Sequence, residues 1–577
     1  MREKKWIYRC AGIKKEMLAA MSKELKISPV IITLLLNRGI KTYEDMKAYM
    51  TKSMRTVRNP MGLPGMEAAV ERILSAVEKQ EKIVIYGDYD VDGITSTALL
   101  YDFLKGTGAN VSYYIPDRME EGYGINIMAV NKLIKQGTKL LITVDCGITA
   151  VGEVEFAKLQ GMDVVITDHH TCKEKIPAAA AVVNPKLPDS EYGFEGLAGV
   201  GVAFKLVLAL TMEMKGNTRE IFDRYAELAA IGTIADVVPL VDENRVIADK
   251  GLAILDKTRR EGLKAVLRVA GADKRPITTS TVAFGIAPRM NAAGRLGSAE
   301  TSVELLLTDD PVRAEEIAAD LDRENKERQA TEQRILEEAL AQIENDPNFN
   351  EKPVIVLASE GWHQGVIGIV ASRICEKYYK PCILISCENG NGKGSGRSIP
   401  AFNLFEALTA CEEFMSNFGG HAVAAGLNID TERIPEFEKK INEYAKEILK
   451  PEDMVPQLSI DCELPPALMT VENAKQLSKF EPFGMGNETP VFSAHNMEII
   501  NIAQIGIDQK HLRLRLRAGG QMYQAVGFHM GEYYQFFREG SRVDAAFRLE
   551  VNNYQNNETV QLNLRDLRNT EATQEAR

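Results

Sequence analysis

Within five positions, Asp88, Asp90 and Asp92 place three carboxylates in the stretch IVIYGDYDVDGITS (83–96), directly after the apolar run Ile83-Val84-Ile85-Tyr86. Like charges this close repel unless water screens them or a cation sits among them. Read alone, DYDVDG fits the opening of an EF-hand calcium loop. That loop needs a glutamate at its twelfth position and a helix on either side. Counted from Asp88, the twelfth position is Leu99, and the preceding residues are β-branched and strand-like. The EF-hand is excluded, so the ligands that complete the site lie elsewhere in the chain.

Three further clusters follow apolar runs: Asp145 in KLLITVDCG, Asp168-His169-His170 in DVVITDHH, and Asp236 in IGTIADVVPL. One aspartate after a strand is ordinarily a helix cap or a turn residue, and that reading stays open for Asp168. Four such clusters in one region are better explained by shared ligation. Carboxylates with one or two neutral imidazoles suit Mn²⁺, Mg²⁺ or Fe²⁺ better than calcium, and no cysteine spacing points to structural zinc. Five or more ligands exceed the need of one ion. They point to two ions about 3.5–4 Å apart, which activate water and stabilise displacement at phosphorus.

The elements that must position these groups are legible. KIVIYGD (82–88), NVSYYIPD (110–117), KLLITVDCG (139–147) and DVVITDHH (163–170) read as strands, with amphipathic stretches such as GEVEFAKLQG (152–161) between them. This pattern predicts a mostly parallel sheet covered by helices, whose strand C-termini are where ligands bind. A long helix is expected over 309–346, started by Asp310 as cap and Pro311 as first helical residue. It would join two domains and form one wall of a cleft. A second α/β unit follows: PVIVLAS (353–359), GVIGIVASRICEKY (365–378) and PCILIS (381–386). Beyond about 455, alternating strands such as HLRLRLRAG and VDAAFRLEV predict a small β-barrel or sandwich. There Arg513, Arg515 and Arg517 share one strand face, as a solvated surface or as a track for a phosphodiester backbone.

A chain of 577 residues exceeds one hydrophobic core. The boundaries read as 1–60 bracing the first α/β domain, 61–308, the helix 309–346, 347–452, a barrel over 453–570, and a tail 571–577. Net charge is −12, a mild argument against a nucleic-acid partner, although an average does not exclude a local basic track. The start, MREKKWIYRCAGIKKEM, lacks a signal-peptide core, and VIITLLL (30–36) is too short to span a bilayer. Eight scattered cysteines suggest a reducing cytoplasm.

Taken in order, D-x-D-x-D-G, V-D-C-G, T-D-H-H and the A-D of IGTIADVVPL resemble the DHH phosphoesterase superfamily. GWHQGVIGIVASRI, GSGRS and GGHAVAAG resemble its DHHA1 domain. PDR…EGYGIN (116–126), AGVGVAFKL (198–206), PRMNAAGRLG (288–297), PFGMGNETPVF (482–492) and the OB-like end are similar to the RecJ branch. The resemblance covers about 60–570. It implies two α/β domains, DHH and DHHA1, joined by the long helix around a central cleft, plus a C-terminal OB-like barrel. Asp92, Asp145, His169 and Asp236 would hold one ion, and Asp88, Asp90 and the shared Asp145 the other. Related phosphatases carry a histidine before their first aspartate pair, where this chain has Asp88, read as a ligand or as a base acting on water. His170 would contact the scissile phosphate or assist proton transfer, with Asp168 orienting the motif.

In GKGSGRS (392–398), glycines let the backbone approach an anion, Ser395 and Ser398 donate, and Arg397 supplies a planar fork; a plain surface turn is the alternative. By resemblance this loop holds a 5′-phosphate and sets 5′-to-3′ polarity. His421 faces the cleft or is structural. Arg118, Arg289, Asn291 and Arg295 are further candidates along the strand path. Trp362 and Tyr123 are stacking or packing residues. The implied activity is Mn²⁺- or Mg²⁺-dependent 5′-to-3′ hydrolysis of single-stranded DNA to 5′-mononucleotides, in repair and recombination. It belongs to a cytoplasmic, monomeric enzyme with no membrane contact, for which a helicase and a single-strand-binding protein are conceivable partners. The alternatives are a DHH/DHHA1 phosphodiesterase acting on short oligoribonucleotides or cyclic dinucleotides, and an inactive replication scaffold.

Overall fold

The computed structural model describes residues 4–9, 15–117, 121–122, 124–554 and 557–570. The chain divides into two compact units, Val57–Met454 and a second formed by Met1–Thr56 together with Val455–Arg577.

The first residues form β1 (Lys5–Tyr8), α1 (Lys15–Leu25), α2 (Pro29–Asn37) and α3 (Tyr43–Thr51). The larger unit begins with α4 (Met66–Glu78), β2 (Ile83–Tyr86), α5 (Val91–Gly106), β3 (Val111–Tyr114), α6 (Ile127–Lys135) and β4 (Leu140–Val144). It continues with α7 (Val151–Leu159), β5 (Asp163–Thr167), β6 (Ala181–Val183), α8 (Gly199–Glu213) and α9 (Thr218–Ala235). The five strands pair entirely in parallel, in the order β3-β2-β4-β5-β6. All four residues of β2 and all five of β4 are buried, as strands covered on both faces must be. Strand order reverses about β2, so the crevice between the C-termini of β2 and β4 is the switch point where such sheets take their ligands.

Helices α10 (Asp242–Leu255), α11 (Glu261–Val269), α12 (Thr279–Thr281), α13 (Ala287–Leu296) and α14 (Glu300–Leu307) lead into α15 (Pro311–Asn345). Asp310 Oδ1 accepts from the Val312 and Arg313 amides at the start of α15. Its buried stripe includes Ala314, Ile317, Leu321, Ile335, Ala339 and Ile343, so this 35-residue helix is packed along most of its length. Then come β7 (Ile355–Glu360), α16 (Ile367–Tyr378), β8 (Cys382–Glu388), β9 (Asn391–Arg397), α17 (Leu404–Thr409), β10 (Met415–His421), β11 (Ala424–Asp430) and α18 (Ile434–Ile448). They build a mixed sheet in the order β10-β11-β9-β8-β7.

The other unit adds β12 (Gln457–Ile460), β13 (Cys462–Glu463), α19 (Val471–Leu477), β14 (Phe492–Ile505), β15 (His511–Ala518), β16 (Gln521–Gly527), β17 (Arg542–Tyr554) and β18 (Asn557–Asn569). Pairing runs β14-β15-β16-β18-β17 and closes through β14–β17, a five-stranded OB-like barrel. One correction to the sequence reading concerns the first 56 residues. They join the barrel unit rather than bracing the parallel-sheet domain: β1 pairs in parallel with β12, and Val30, Ile31, Leu34, Leu35 and Met46 share a core with Phe492, Leu514 and Phe547. Helix α2 (PVIITLLLN) is apolar nearly all round, and six of its nine residues are buried there. Among the described residues, no helix is long and apolar enough to cross a membrane.

Candidate metal centre and strand-contact residues

Asp90 ends the turn after β2 and caps α5: its Oδ1 accepts from the amides of Asp92 (2.9 Å) and Gly93 (3.1 Å). Capping fixes one oxygen and leaves the carboxylate at the sheet edge. Asp92, two residues further on, is held by the first amides of α8, Gly199 N–H on Oδ2 and Val200 N–H on Oδ1, each at 2.7 Å. A helix N-terminus favours negative charge there. Gly199 is required by space, since a Cβ would stand 2.5 Å from Asp145 Cβ and 2.6 Å from its Oδ1.

Asp145 follows β4 with φ +61°, a left-handed backbone that side chains adopt at a cost. Its amide donates to Thr167 O (3.0 Å), tying β4's end to β5's. Past β5, Asp168 organises the histidines. Its Oδ1 accepts from the amides of His169 (2.7 Å) and His170 (3.0 Å) and pairs with His170 Nδ1 at 2.7 Å, while Oδ2 accepts from Ile148 N–H at 2.9 Å. His169 Nε2 lies 3.2 Å from Asp145 Oδ1, 3.6 Å from Asp236 Oδ2 and 3.8 Å from Asp92 Oδ2. Asp236 is the C-cap residue of α9.

Ligand-type atoms therefore converge in three overlapping groups, each within 4.8 Å: Asp92/His169/Asp236, Asp88/Asp90/Asp145, and Asp145/His169/His170. The electrostatics fit a divalent ion. Burial first, then neighbouring carboxylates, pushes Asp92 and Asp145 well above the ordinary aspartate range. Burial and Asp90 push Asp236 up to about 7. Burial, with His170 beside it, pulls His169 down to about 3, so its ring is neutral and able to ligate. Burial alone would raise Asp168 and lower His170; their hydrogen bond and mutual attraction reverse both directions. Asp145 Oδ1 and His169 Nε2 are buried without a hydrogen bond, as expected of atoms whose partner is a cation.

The remaining candidates fall in different settings. Ser395 and Arg397 lie on β9, beside the first turn of α16; Arg397 donates to Gly396 O (2.7 Å) and Ser395 Oγ (3.3 Å). At Gly368 of that turn, a Cβ would sit 2.8 Å from Ser395 Oγ and 3.1 Å from Arg397 Nη2. An adjoining groove of about 660 Å³ is lined by Lys393, Ser395, Asn417, Gly419 and Gln364. Ser398 spends its hydroxyl on Phe402 O (2.7 Å), and His421 is exposed at the end of β10. Arg289 pairs with Asp322 at 2.8 Å and donates to Gly285 O and Val269 O, which knits α13 to α15 and α11. Arg295 donates to Gly365 O (2.7 Å). Asn291 Oδ1 accepts from Val91 N–H (3.1 Å), bracing the start of α5. Trp362 is buried, its indole N–H on Glu338 (2.7 Å), and offers no face for base stacking. In the barrel, Arg513, Arg515 and Arg517 alternate outward with buried leucines between them, and Arg517 pairs with Glu498 at 2.6 Å. Arg118 and Tyr123 lie outside the described residues.

Comparison with known proteins converges on one lineage. Profiles of the DHH family, N-terminal domain, the DHHA1 domain and the RecJ OB domain match residues 82–233, 351–447 and 460–566. The single-stranded-DNA-specific exonuclease RecJ of Bacillus subtilis is 40% identical over 554 residues, spanning 96% of this chain and 69% of that protein. The chain belongs to the RecJ family. The crystal structure of RecJ in complex with Mn²⁺ from Thermus thermophilus superposes with a TM-score of 0.84 at 31% identity, covering 98% of this chain and 79% of that one. The Mg²⁺ complex of RecJ from the same organism gives a TM-score of 0.77 at 30% identity, covering 98% and 78%.

Sequence reasoning missed the supports. The Gly199 and Val200 amides that clamp Asp92 lie within AGVGVAFKL, where paired glycines at a helix start were the available signal. Asn184 was passed over entirely: it is fully buried, donates to His170 O (3.0 Å) and accepts from Lys186 N–H (2.8 Å).

Proposed function

We propose that this chain is a metal-dependent 5′-to-3′ exonuclease that hydrolyses single-stranded DNA to 5′-mononucleotides in repair and recombination. The observation that carries the reading is the convergence of five aspartates and His169 beside the C-terminal edge of one parallel sheet, in three groups linked through Asp145 and His169. Asp92, Asp145, His169 and Asp236 would hold one Mn²⁺ or Mg²⁺, and Asp88, Asp90 and Asp145 a second. Bound divalent ions supply positive charge to the scissile phosphodiester and lower the pKa of the attacking water.

The chain's own groups do the rest. Asp88 would serve as a ligand in the second group or as a base that accepts a proton from water. Asp168 accepts at His170 Nδ1 and favours its protonated form, in which Nε2–H would donate to a non-bridging phosphate oxygen. Ser395 and Arg397 receive the 5′-terminal phosphate beside the start of α16, where helix dipole and guanidinium both favour an anion, and this end recognition sets polarity. All seven described cysteines are free, which suits a cytoplasmic enzyme. It acts as a monomer, on strands exposed by a helicase or handed over from a single-strand-binding protein.

The test is the product ladder from one end-labelled single strand with Mn²⁺ or Mg²⁺. Mononucleotides released from the 5′ end, with blunt duplex resistant and Asp145→Ala silent, are expected. Equal cutting of blunt duplex, or wild-type activity in Asp145→Ala, refutes the reading.

A further inference from the structure

A second concentration of positive charge lies on the barrel, and none of the roles above uses it. Arg548 on β17 and Arg565 on β18 are half-buried, and the Nε of each is shielded from solvent with no hydrogen-bond partner. Neither guanidinium makes a hydrogen bond or an ion pair among the described residues. The strand register explains their proximity. Arg548 stands opposite Asn563, and the bulge between Ala546 and Phe547 admits Arg565 as the extra residue of β18. Lys4 Nζ donates to the Arg565 carbonyl at 2.9 Å, adding a third cation. Glu550, whose charge acts on both arginines, accepts from Asn563 Nδ2 at 2.8 Å and forms an ion pair with neither. Arg568, further along β18, is engaged differently, 3.6 Å over the Trp6 ring.

Arginine stays charged in proteins, so two partly desolvated guanidiniums that feel Glu550 only at a distance and make no direct ion pair carry an energetic cost that an arriving anion reduces. Burial holds both below the ordinary arginine value, and for Arg548 the like charge of Arg565 adds to it. The cross-strand row that contains Arg548 and Asn563 continues through Val526 of β16 to Arg513 of β15. Along that row Arg513 stands three strands from Arg548, and through the closing strand β14 only two. The next row holds Arg515, Gln524, Gln561 and Glu550.

We propose that Arg548 and Arg565 form a two-guanidinium seat for one phosphodiester group of a nucleic-acid strand that crosses the barrel along the Arg513 row. The proposal deepens the single-strand reading above by assigning the barrel a discrete phosphate site. A polymer of evenly spaced anions engages both the seat and the row of arginine and amide side chains; a lone acidic side chain engages only the seat.

The experiment measures anisotropy of a dye-labelled long oligothymidylate on the full chain in EDTA, across a salt titration. The variants are Arg548→Gln/Arg565→Gln and Arg548→Lys/Arg565→Lys. The glutamine pair should bind about tenfold more weakly at low salt, with the log–log salt slope shallower by about 0.7 for each phosphate it no longer neutralises. The lysine pair keeps the slope and loses part of the affinity, because charge remains but the planar fork is gone. The melting temperature of the glutamine pair should hold or rise. A fall of several degrees gives the arginines a structural role and overturns the proposal. So does an unchanged salt slope, or loss of an acidic peptide's binding with strand binding intact. Binding is read without cleavage, so a wild-type chain that binds the strand but never degrades it refutes the nuclease reading alone.

Discussion

Replacing Asp236 with asparagine should stabilise the metal-free protein while abolishing its chemistry. Asp236 is pushed up to about 7 from an ordinary 3.8, chiefly by burial and then by Asp90. A folded-state pKa raised above the unfolded one contributes stability that is fully present below about pH 4 and lost as pH rises through 7. The shift is close to three units, or about 4 kcal/mol at 1.36 kcal/mol per unit. The side chain is 25% exposed, so solvent screening reduces this to about 2–3 kcal/mol. Asparagine cannot ionise and escapes the loss. In EDTA at pH 8, Asp236→Asn should therefore melt a few degrees above wild type, and near pH 4 the two should coincide. Added Mn²⁺ should reverse the order at pH 8, because only the wild type keeps the full ligand set, and turnover of the variant should fall by about 100-fold or more. Thermal melts at the two pH values, with and without Mn²⁺, are the assay. A variant less stable than wild type in EDTA at pH 8, or equally shifted at both pH values, would refute the reasoning.

Gly199→Ala drives a methyl into Asp145 and should cost about 2 kcal/mol of stability with about a tenfold loss of Mn²⁺ affinity, measured by calorimetric titration. Asp168→Asn removes the charge that keeps His170 protonated, so the basic limb of the pH–rate profile should move down by about one unit. Arg397→Ala should erase most of the preference for 5′-phosphorylated over 5′-hydroxyl ends, about 10- to 100-fold in kcat/KM. Arg513→Ala/Arg515→Ala should weaken strand binding and flatten its salt dependence by about 0.7 per phosphate, with turnover of a dinucleotide unchanged.

The candidate metal centre was legible because its chemistry is local: three aspartates within five positions and a doublet of histidines, each after an apolar run that forms a buried strand. What holds those groups was not. Asp92's clamp comes from amides more than a hundred residues away, and an amide leaves no trace in residue type. Arg289 and Asn291 sit in a polar motif beside the site and read as strand contacts, yet their hydrogen bonds go to Asp322 and to the Val91 amide. Helix α2 displays burial on every side, a pattern that announces a core without saying whose. The 35-residue helix was readable end to end, because Asp310, Pro311 and the spacing of its apolar residues all act within one element.

The parallel pairing of β1 with β12 has a consequence for biosynthesis. The 398 residues from Val57 to Met454 are threaded between the two pieces that must meet. At about 5–20 residues per second, a ribosome takes roughly 20–80 s to cross that interval. Throughout it, the helix whose apolar side chains later share the barrel's core has no partner made, while all five strands of the parallel sheet are completed by residue 183. Order of translation and order of assembly thus diverge, and a segment made before the parallel-sheet unit settles only after it.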